Sequence, residues 1–401
     1  MTSKGLTAAQ RVRYIMYAVG VTVAILVVLD GVFGWMDSSG TVGPQRADDS
    51  HALQEDPWVE RGGFLIPNPA LSSAMPQHQL SVRRGDAYRL IMAGGSFFKG
   101  VPYQHEGTIH HALEALLKEG ARRAIEVANG SMSAMASGVV GQVVGYAVTH
   151  QPSVLVVASC NNEGTLPPSQ VTERLHKLGT VRVLRRLLRD DTDGDSTRPV
   201  HTPQDPDVDA IRANFRKNLE AMATSAAEAE VPLLLCTLPV NLLYRGEEAG
   251  LPIEGHRWEE QGTVPYSACI QKGIALHDAR RYPEAISQLE RCDEVEALRW
   301  IGLARYASGQ MDAARRALEA YTELVPRNRC RPSFNTVIRQ IAQRHPHVHL
   351  VDLDAEARKI SYGGLAGGEL FEDYCHMNRE AQGKVAGWIF ARLSELGLAG
   401  R

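Results

Sequence analysis

Apolar positions open the chain in one long block and then break into short runs. From Tyr14 to Leu29 the sequence is uncharged and mostly apolar, and Gly31 to Met36 extends the block past Asp30. About 20 such residues are enough to cross a hydrocarbon core as a helix. Lys4, Arg11 and Arg13 precede the block, whereas Asp30 and Asp37 stand at or just beyond its far end. The positive-inside bias then places residues 1–13 in the cytoplasm, a transmembrane helix at 14–36 and the rest of the chain outside. A cleaved signal peptide is the rival reading; the apolar core is long for one, and no clear A-x-A site follows it. Residues 37–60 are polar and read as a flexible linker.

Beyond the linker, short continuous apolar runs alternate with helical periodicity. Strands are expected at Arg89–Ala93, Ala124–Ala128, Ser153–Ser159, Val231–Thr237 and His347–Asp352. Helices are expected at Thr108–Glu119, Gly138–Thr149, Ala210–Glu228 and Ser333–Arg344. Continuous rather than alternating apolar runs suit strands buried on both faces. Strand–helix alternation implies an α/β fold, a parallel sheet between helical layers with its site beyond the carboxyl ends of the strands. Asp190–Asp207 breaks the pattern and reads as a long exposed loop.

A repeat interrupts the body between the fourth and fifth strands. Gly273, Ala285 and Leu289 in one helical pair match Gly302, Ala314 and Leu318 in the next, and Pro326 closes the second copy. Small residues at these positions let antiparallel helices approach closely, and the pair resembles tetratricopeptide hairpins. The body therefore divides into 61–245, a helical insertion at 266–327, and 328–401. The insertion is either a structural addition or a docking surface for a protein partner.

Bulk composition changes this picture little. A net charge of −3 gives no nucleic-acid footprint, and the six cysteines form neither a disulfide scaffold nor a zinc pattern. Cys269 and Cys292 sit near the open end of one predicted hairpin and could pair in an oxidising compartment; Cys160 and Cys375 flank candidate site residues and could meet; buried thiols are the alternative. Asp191, Asp193 and Asp195 hint at a calcium loop, but no glutamate closes it and the glycine is misplaced. His345, His347 and His349 alternate as metal ligands can, yet strand entry explains them as well. His110 and His111 read as ordinary helix residues.

The chemistry concentrates where the strands end. The first strand runs into Gly94-Gly95-Ser96, the second into Asn129-Gly130-Ser131-Met132, the third into Cys160-Asn161-Asn162-Glu163, and Asp373-Tyr374-Cys375-His376 precedes the last helix. In order and spacing these blocks resemble those of SGNH (GDSL-type) hydrolases. The likeness runs from about Arg89 to Phe390 and is nearest to bacterial membrane-anchored members with tetratricopeptide insertions. Glu126-Val127-Ala128-Asn129 with Met132, Ala134 and Ser137, and Asn214-Phe215-Arg216-Lys217-Asn218-Leu219, carry that closer likeness. The resemblance implies a three-layer, flavodoxin-like α/β/α fold with Ser96 as nucleophile and Asp373 and His376 as its partners. It also implies an oxyanion hole from Ser96, Asn162 and either Ser131 or the adjacent Gly130. Gly95 stands where the family more often has an acidic residue, and Ser131 and Cys160 stand where it has glycine.

Elementary chemistry agrees with those roles. A serine alcohol is a poor nucleophile until a base removes its proton, and a carboxylate three residues before the histidine can orient the ring. Donors placed where negative charge develops are each worth about 3 kcal/mol. The resemblance implies an esterase or O-deacetylase, without metal or cofactor, on an acylated envelope glycan or lipid at the outer side of a bacterial cytoplasmic membrane. An O-acyltransferase with the same site, and an inert scaffold acting through its helical repeats, are the alternatives.

Overall fold

The structure, a computed structural model, describes residues 53, 55–71, 75–103, 107–163, 208–244, 252–253, 256–257, 266–324 and 329–400. The expected membrane helix at 14–36 and the acidic loop Asp190–Asp207 lie outside these residues. Among the described residues no helix is long and apolar enough to cross a membrane.

Among the described residues the first element is a small antiparallel sheet of β1 (Trp58–Arg61), β2 (Phe64–Pro67) and β3 (Leu80–Ser81). This corrects the expected linker, whose last residues already belong to the fold. Trp58 is buried, and its indole N–H donates to His78 Nε2 at 2.6 Å. Its polar neighbours conceal that anchor when the segment is read by composition.

Each continuous apolar run forms a strand of one parallel sheet: β4 (Tyr88–Gly94), β5 (Ile125–Asn129), β6 (Val154–Ala158), β7 (Leu233–Cys236) and β10 (Val348–Val351). A two-residue pair, β8 (Pro252–Ile253) with β9 (His256–Arg257), intervenes in sequence. The order across the sheet is β10-β7-β6-β4-β5. Numbered by sequence this is 2-1-3-4-5, the flavodoxin-like order, whose topological switch point lies between the neighbours β4 and β6. Strands β4, β6 and β7 are buried along their whole length, as double-sided packing requires.

Helices α1 (Ser96–Lys99), α2 (Ile109–Lys118), α3 (Ser137–Ala147) and α4 (Val208–Glu228) follow the first three of these strands. Right-handed crossovers then put α2 on one face and α3 and α4 on the other. The contacts agree: α2 packs on the final helix, while α3 packs on α4. In α2, Ile109, Leu113 and Leu117 recur every fourth residue and are buried, the single stripe that such a helix needs.

Among the described residues, the interruption after β7 holds, beyond the β8–β9 pair, four helices: α5 (Ala268–Asp278), α6 (Tyr282–Leu289), α7 (Glu296–Ala307) and α8 (Met311–Leu324). The matched glycines have a steric reason. A Cβ on Gly273 would stand 2.4 Å from Leu289 Cδ2, and one on Gly302 would stand 2.5 Å from Leu318 Cγ. A disulfide joins Cys269 to Cys292 across the first hairpin. The chain returns through α9 (Pro332–Arg344) to β10 and ends in α10 (Leu353–Ile360) and α11 (Arg379–Glu395).

The alternating histidines serve packing. His345 Nε2 meets Glu220 at 2.6 Å and His347 Nε2 donates to the Ala223 carbonyl at 2.7 Å, both on α4. His110 donates from Nε2 to the Val127 carbonyl at 3.3 Å, and burial pushes its pKa down to about 4.

Candidate active site

Strand register brings the blocks together. Gly94 lies opposite Ala158, Ala158 opposite Cys236, and Cys236 opposite Val351, so four strands end on one row. Whatever follows each strand must therefore crowd one edge of the sheet. Gly94 needs its missing side chain there, because a Cβ would fall 2.5 Å from the Ala158 carbonyl.

Ser96 is the first residue of α1, with Gly95 as its cap. Its N–H therefore has no intrahelical acceptor. Its hydroxyl is nearly buried and lies 2.8 Å from His376 Nε2. His376 Nδ1 in turn meets Asp373 Oδ2 at 2.6 Å. The other Asp373 oxygen accepts the backbone N–H groups of Cys375 at 2.8 Å and His376 at 2.7 Å. Burial pushes the Asp373 pKa up, but the hydrogen bond and charge of His376 and these two N–H donors outweigh it and hold the carboxyl below its usual range. Asp373 thus stays ionised and holds Nδ1 as a donor, so that Nε2 accepts from Ser96. Asn241 fixes the loop from behind, donating Nδ2–H to the Asp373 carbonyl at 2.9 Å. Just beyond His376, the Asn378 side chain caps α11 through the Ala381 N–H at 2.9 Å.

Asn162 also comes to this point. Its amide nitrogen lies 3.2 Å from where a Cβ on Gly95 would be, beside the nucleophile, and it donates to the Met135 carbonyl at 3.2 Å. An amide nitrogen carries two hydrogens, so one donor remains.

The structure does not bring the backbone N–H of Gly130 or Ser131 to the hole. Gly130 N–H donates to the Met92 carbonyl at 2.9 Å, extending the ladder past β5. Ser131 N–H donates to Asn129 Oδ1 at 3.0 Å, while Asn129 Nδ2 holds the Phe98 carbonyl at 2.7 Å. Gly130 is instead a point of close approach, since a Cβ there would lie 2.8 Å from Val143 and 2.9 Å from the Trp58 ring. Met132 N–H is engaged too, by the Gly94 carbonyl at 3.2 Å. Two residues further on, Ala134 adopts a φ of +61°, left-handed backbone that a residue with a side chain rarely takes. Left-handed alanine in a loop against the nucleophile is the strained position of this site.

The two cysteines that flank the site residues do not meet. The Cys160–Cys375 pairing is not formed: Cys160 is bonded to Cys330, and Cys375 is a free buried thiol. Burial and the Asp373 charge push the Cys375 pKa well up, with Arg329 opposing, so it is a protonated thiol. Asp373, Cys375 and His376 place their donor atoms within 4.8 Å of one another. The Asp373 oxygens and His376 ring nitrogens are already taken up by each other, by the Cys375 and His376 N–H groups and by Ser96.

No family model matches the chain, and no curated protein sequence does. Solved structures give low-identity likenesses. An acetyl xylan esterase, AlAXEase, matches at 13% identity and a TM-score of 0.39, covering 76% of this chain and 98% of its own. A lipase/acylhydrolase from Enterococcus faecalis matches at 12% identity and 0.38, covering 77% and 96%. The psychrotrophic esterase EstA from Pseudoalteromonas sp. matches at 11% identity and 0.34, covering 77% and 97%. These likenesses say nothing about this chain's substrate. By its own sheet order the fold is a flavodoxin-like α/β fold, and the blocks that follow its strands crowd one carboxyl edge of the parallel sheet.

Proposed function

We propose that this chain is a serine esterase that works through an acyl-Ser96 intermediate. One observation carries the reading: Ser96 Oγ, His376 and Asp373 stand in an unbroken hydrogen-bonded line at the carboxyl edge of the sheet. As Oγ attacks an ester carbonyl, His376 Nε2 takes the hydroxyl proton, and the imidazolium that forms is stabilised by Asp373. The carbonyl oxygen becomes an oxyanion, held by the Ser96 N–H and the free hydrogen of the Asn162 amide. His376 then passes its proton to the leaving alkoxide as the C–O bond breaks. Water, deprotonated by the same nitrogen, attacks the acyl-serine and releases the acid. With Gly130, Ser131 and Met132 engaged elsewhere, any further donor from that turn comes from the Ser133–Ala134 stretch.

The finer reading is an esterase or O-deacetylase anchored outside the cytoplasmic membrane, acting on an acylated envelope glycan or lipid. Two disulfides support an oxidising compartment, because cytosolic thiols are kept reduced. The charge asymmetry about residues 14–36 supports the same side. The four-helix insertion, with its paired glycine–leucine contacts, is the surface offered to a protein partner. Hydrolysis of p-nitrophenyl acetate by the whole chain, beside Ser96→Ala and His376→Ala, tests the reading. Loss of about a thousandfold or more in both variants supports it; variants as active as an active wild type would sink it.

A further inference from the structure

The triplet Arg329-Cys330-Arg331 runs from the end of the helical insertion to the start of α9, and each member reaches a different part of the site. Cys330 is bonded to Cys160, across 170 residues of sequence. Arg331 is fully buried, and its Nη1 donates to the Glu163 carbonyl at 3.4 Å. Asn162 lies between Cys160 and Glu163 and is therefore tethered on both sides to one short segment. The Arg329 guanidinium lies 5.3 Å from the ring centres of both Tyr244 and Tyr374. Tyr374 sits between Asp373 and His376, with its ring 6.1 Å from the imidazole. Just past the triplet, Asn335 on α9 binds the N–H and the carbonyl of Leu238, each at 2.9 Å. The loops after β6 and β7 and the Asp373–His376 loop thus all bear on the segment where the insertion ends.

The Glu163 side chain completes the frame from the opposite direction. It accepts from the Ser137 N–H at 2.6 Å and the Ser137 hydroxyl at 2.8 Å, and Asn218 donates to that hydroxyl at 2.9 Å. Ser137 and the Asn214–Leu219 segment, neither of which supplies a reacting atom, therefore meet at Glu163, the residue next to Asn162. A turn held by its own backbone alone would leave the Asn162 amide free to swing, whereas this one is fixed from α3, from α4 and from the triplet.

We propose that Arg329–Arg331 is a positioning clasp for the oxyanion side of the site: through the Cys160–Cys330 bond and Arg331 it fixes Asn162, and ester hydrolysis depends on that bond staying oxidised. The proposal rests on the esterase reading. Reduction would add two electrons and two protons from an external dithiol, giving two cysteine thiols and a disulfide of the reductant, and would release one of the two tethers. The Cys269–Cys292 bond, inside the insertion, provides an internal control.

The test uses the full 401-residue chain in detergent, comparing wild type, Cys160→Ser with Cys330→Ser, and Cys269→Ser with Cys292→Ser, each with and without Asn162→Ala. Removing one oxyanion donor lowers kcat by about 10²–10³-fold, so a loosened one is expected to lower it by about tenfold or more. That loss should fall on kcat with KM little changed, should be reproduced by dithiothreitol on the Cys269/Cys292 variant, and should vanish in the Asn162→Ala background. The Cys269/Cys292 variant should keep its kcat. A Cys160/Cys330 variant with full kcat, or with the same fractional loss whether or not Asn162 is present, would overturn the proposal. If that variant does not fold, dithiothreitol treatment of the folded Cys269/Cys292 variant decides by the same criteria. If wild type hydrolyses no ester, the esterase reading fails separately, and amide exchange over residues 159–163 judges the clasp: faster exchange after reduction supports it, and unchanged exchange overturns it.

Discussion

Replacing Asp373 by asparagine removes a charge but keeps the shape, and the structure dictates which way the new amide turns. Asp373 Oδ1 accepts two backbone N–H groups, from Cys375 and His376, while Oδ2 faces His376 Nδ1. An asparagine has one oxygen and one NH2. Turning the NH2 toward the two backbone donors would leave both unpaired in a buried loop, at a cost of at least about 1 kcal/mol each. The oxygen therefore stays with the backbone and the NH2 faces Nδ1. Nδ1 must then accept, the ring proton moves to Nε2, and Nε2 donates to Ser96 instead of accepting from it. The general base is lost while the geometry survives. The comparable change in another serine hydrolase lowers kcat by about 10⁴, equivalent to about 5.4 kcal/mol of transition-state stabilisation. The assay is kcat for p-nitrophenyl acetate beside a thermal melt. A folded Asp373→Asn variant within about tenfold of wild type would refute the orienting role given to this carboxylate.

Other consequences follow from groups away from the reacting atoms. Burial raises the Glu163 pKa from 4.5 to about 7, with Ser137, Ser159 and Arg331 opposing. Because the folded pKa is raised, this contribution to stability is fully present below pH 4.5 and is lost as pH rises through about 7. The difference is on the order of 3 kcal/mol, so urea melts of Glu163→Gln and wild type should converge or cross over that range; parallel curves would contradict it. Gly302→Ala should destabilise by about 1–3 kcal/mol, although helix propensity alone favours alanine, because its Cβ meets Leu318. Adding Leu318→Ala should make the alanine tolerable, and a raised Tm for Gly302→Ala alone would count against the close helix approach. Arg89 is buried in β4 and paired with Glu126 at 2.8 Å, so Glu126→Ala should destabilise by about 3–5 kcal/mol, which a denaturant titration would read; a variant as stable as wild type would contradict it.

The parts of the fold legible in sequence were those written in contiguous residues. Leu90–Ala93 and Val154–Ala158 are uninterrupted apolar runs because both faces of the sheet are covered, and Ser96 and Asn162 follow their strands closely enough to be placed by order alone. Asp373 and His376 are three apart on one tight turn, so their contact is nearly local. The oxyanion turn was less legible, because spacing from Asn129 counts residues and cannot show which N–H groups are already engaged. There the Asn129 side chain takes the Ser131 donor, and the ladder takes the Gly130 donor. The Cys160–Cys330 bond and the stacking of Arg329 on Tyr244 and Tyr374 depend on where the insertion returns to the sheet. No local pattern encodes that return. Trp58 was hidden for a related reason: one large apolar residue among charges has no periodicity to report.

The most direct test is covalent. A fluorophosphonate reacts with a serine only where a base activates the hydroxyl and donors hold the phosphoryl oxygen, so peptide mapping after labelling identifies the nucleophile without assuming a substrate. The label should appear on Ser96 and be lost in His376→Ala. A label on a different residue, or no label on a chain that hydrolyses esters, would contradict the assignment of Ser96 as nucleophile.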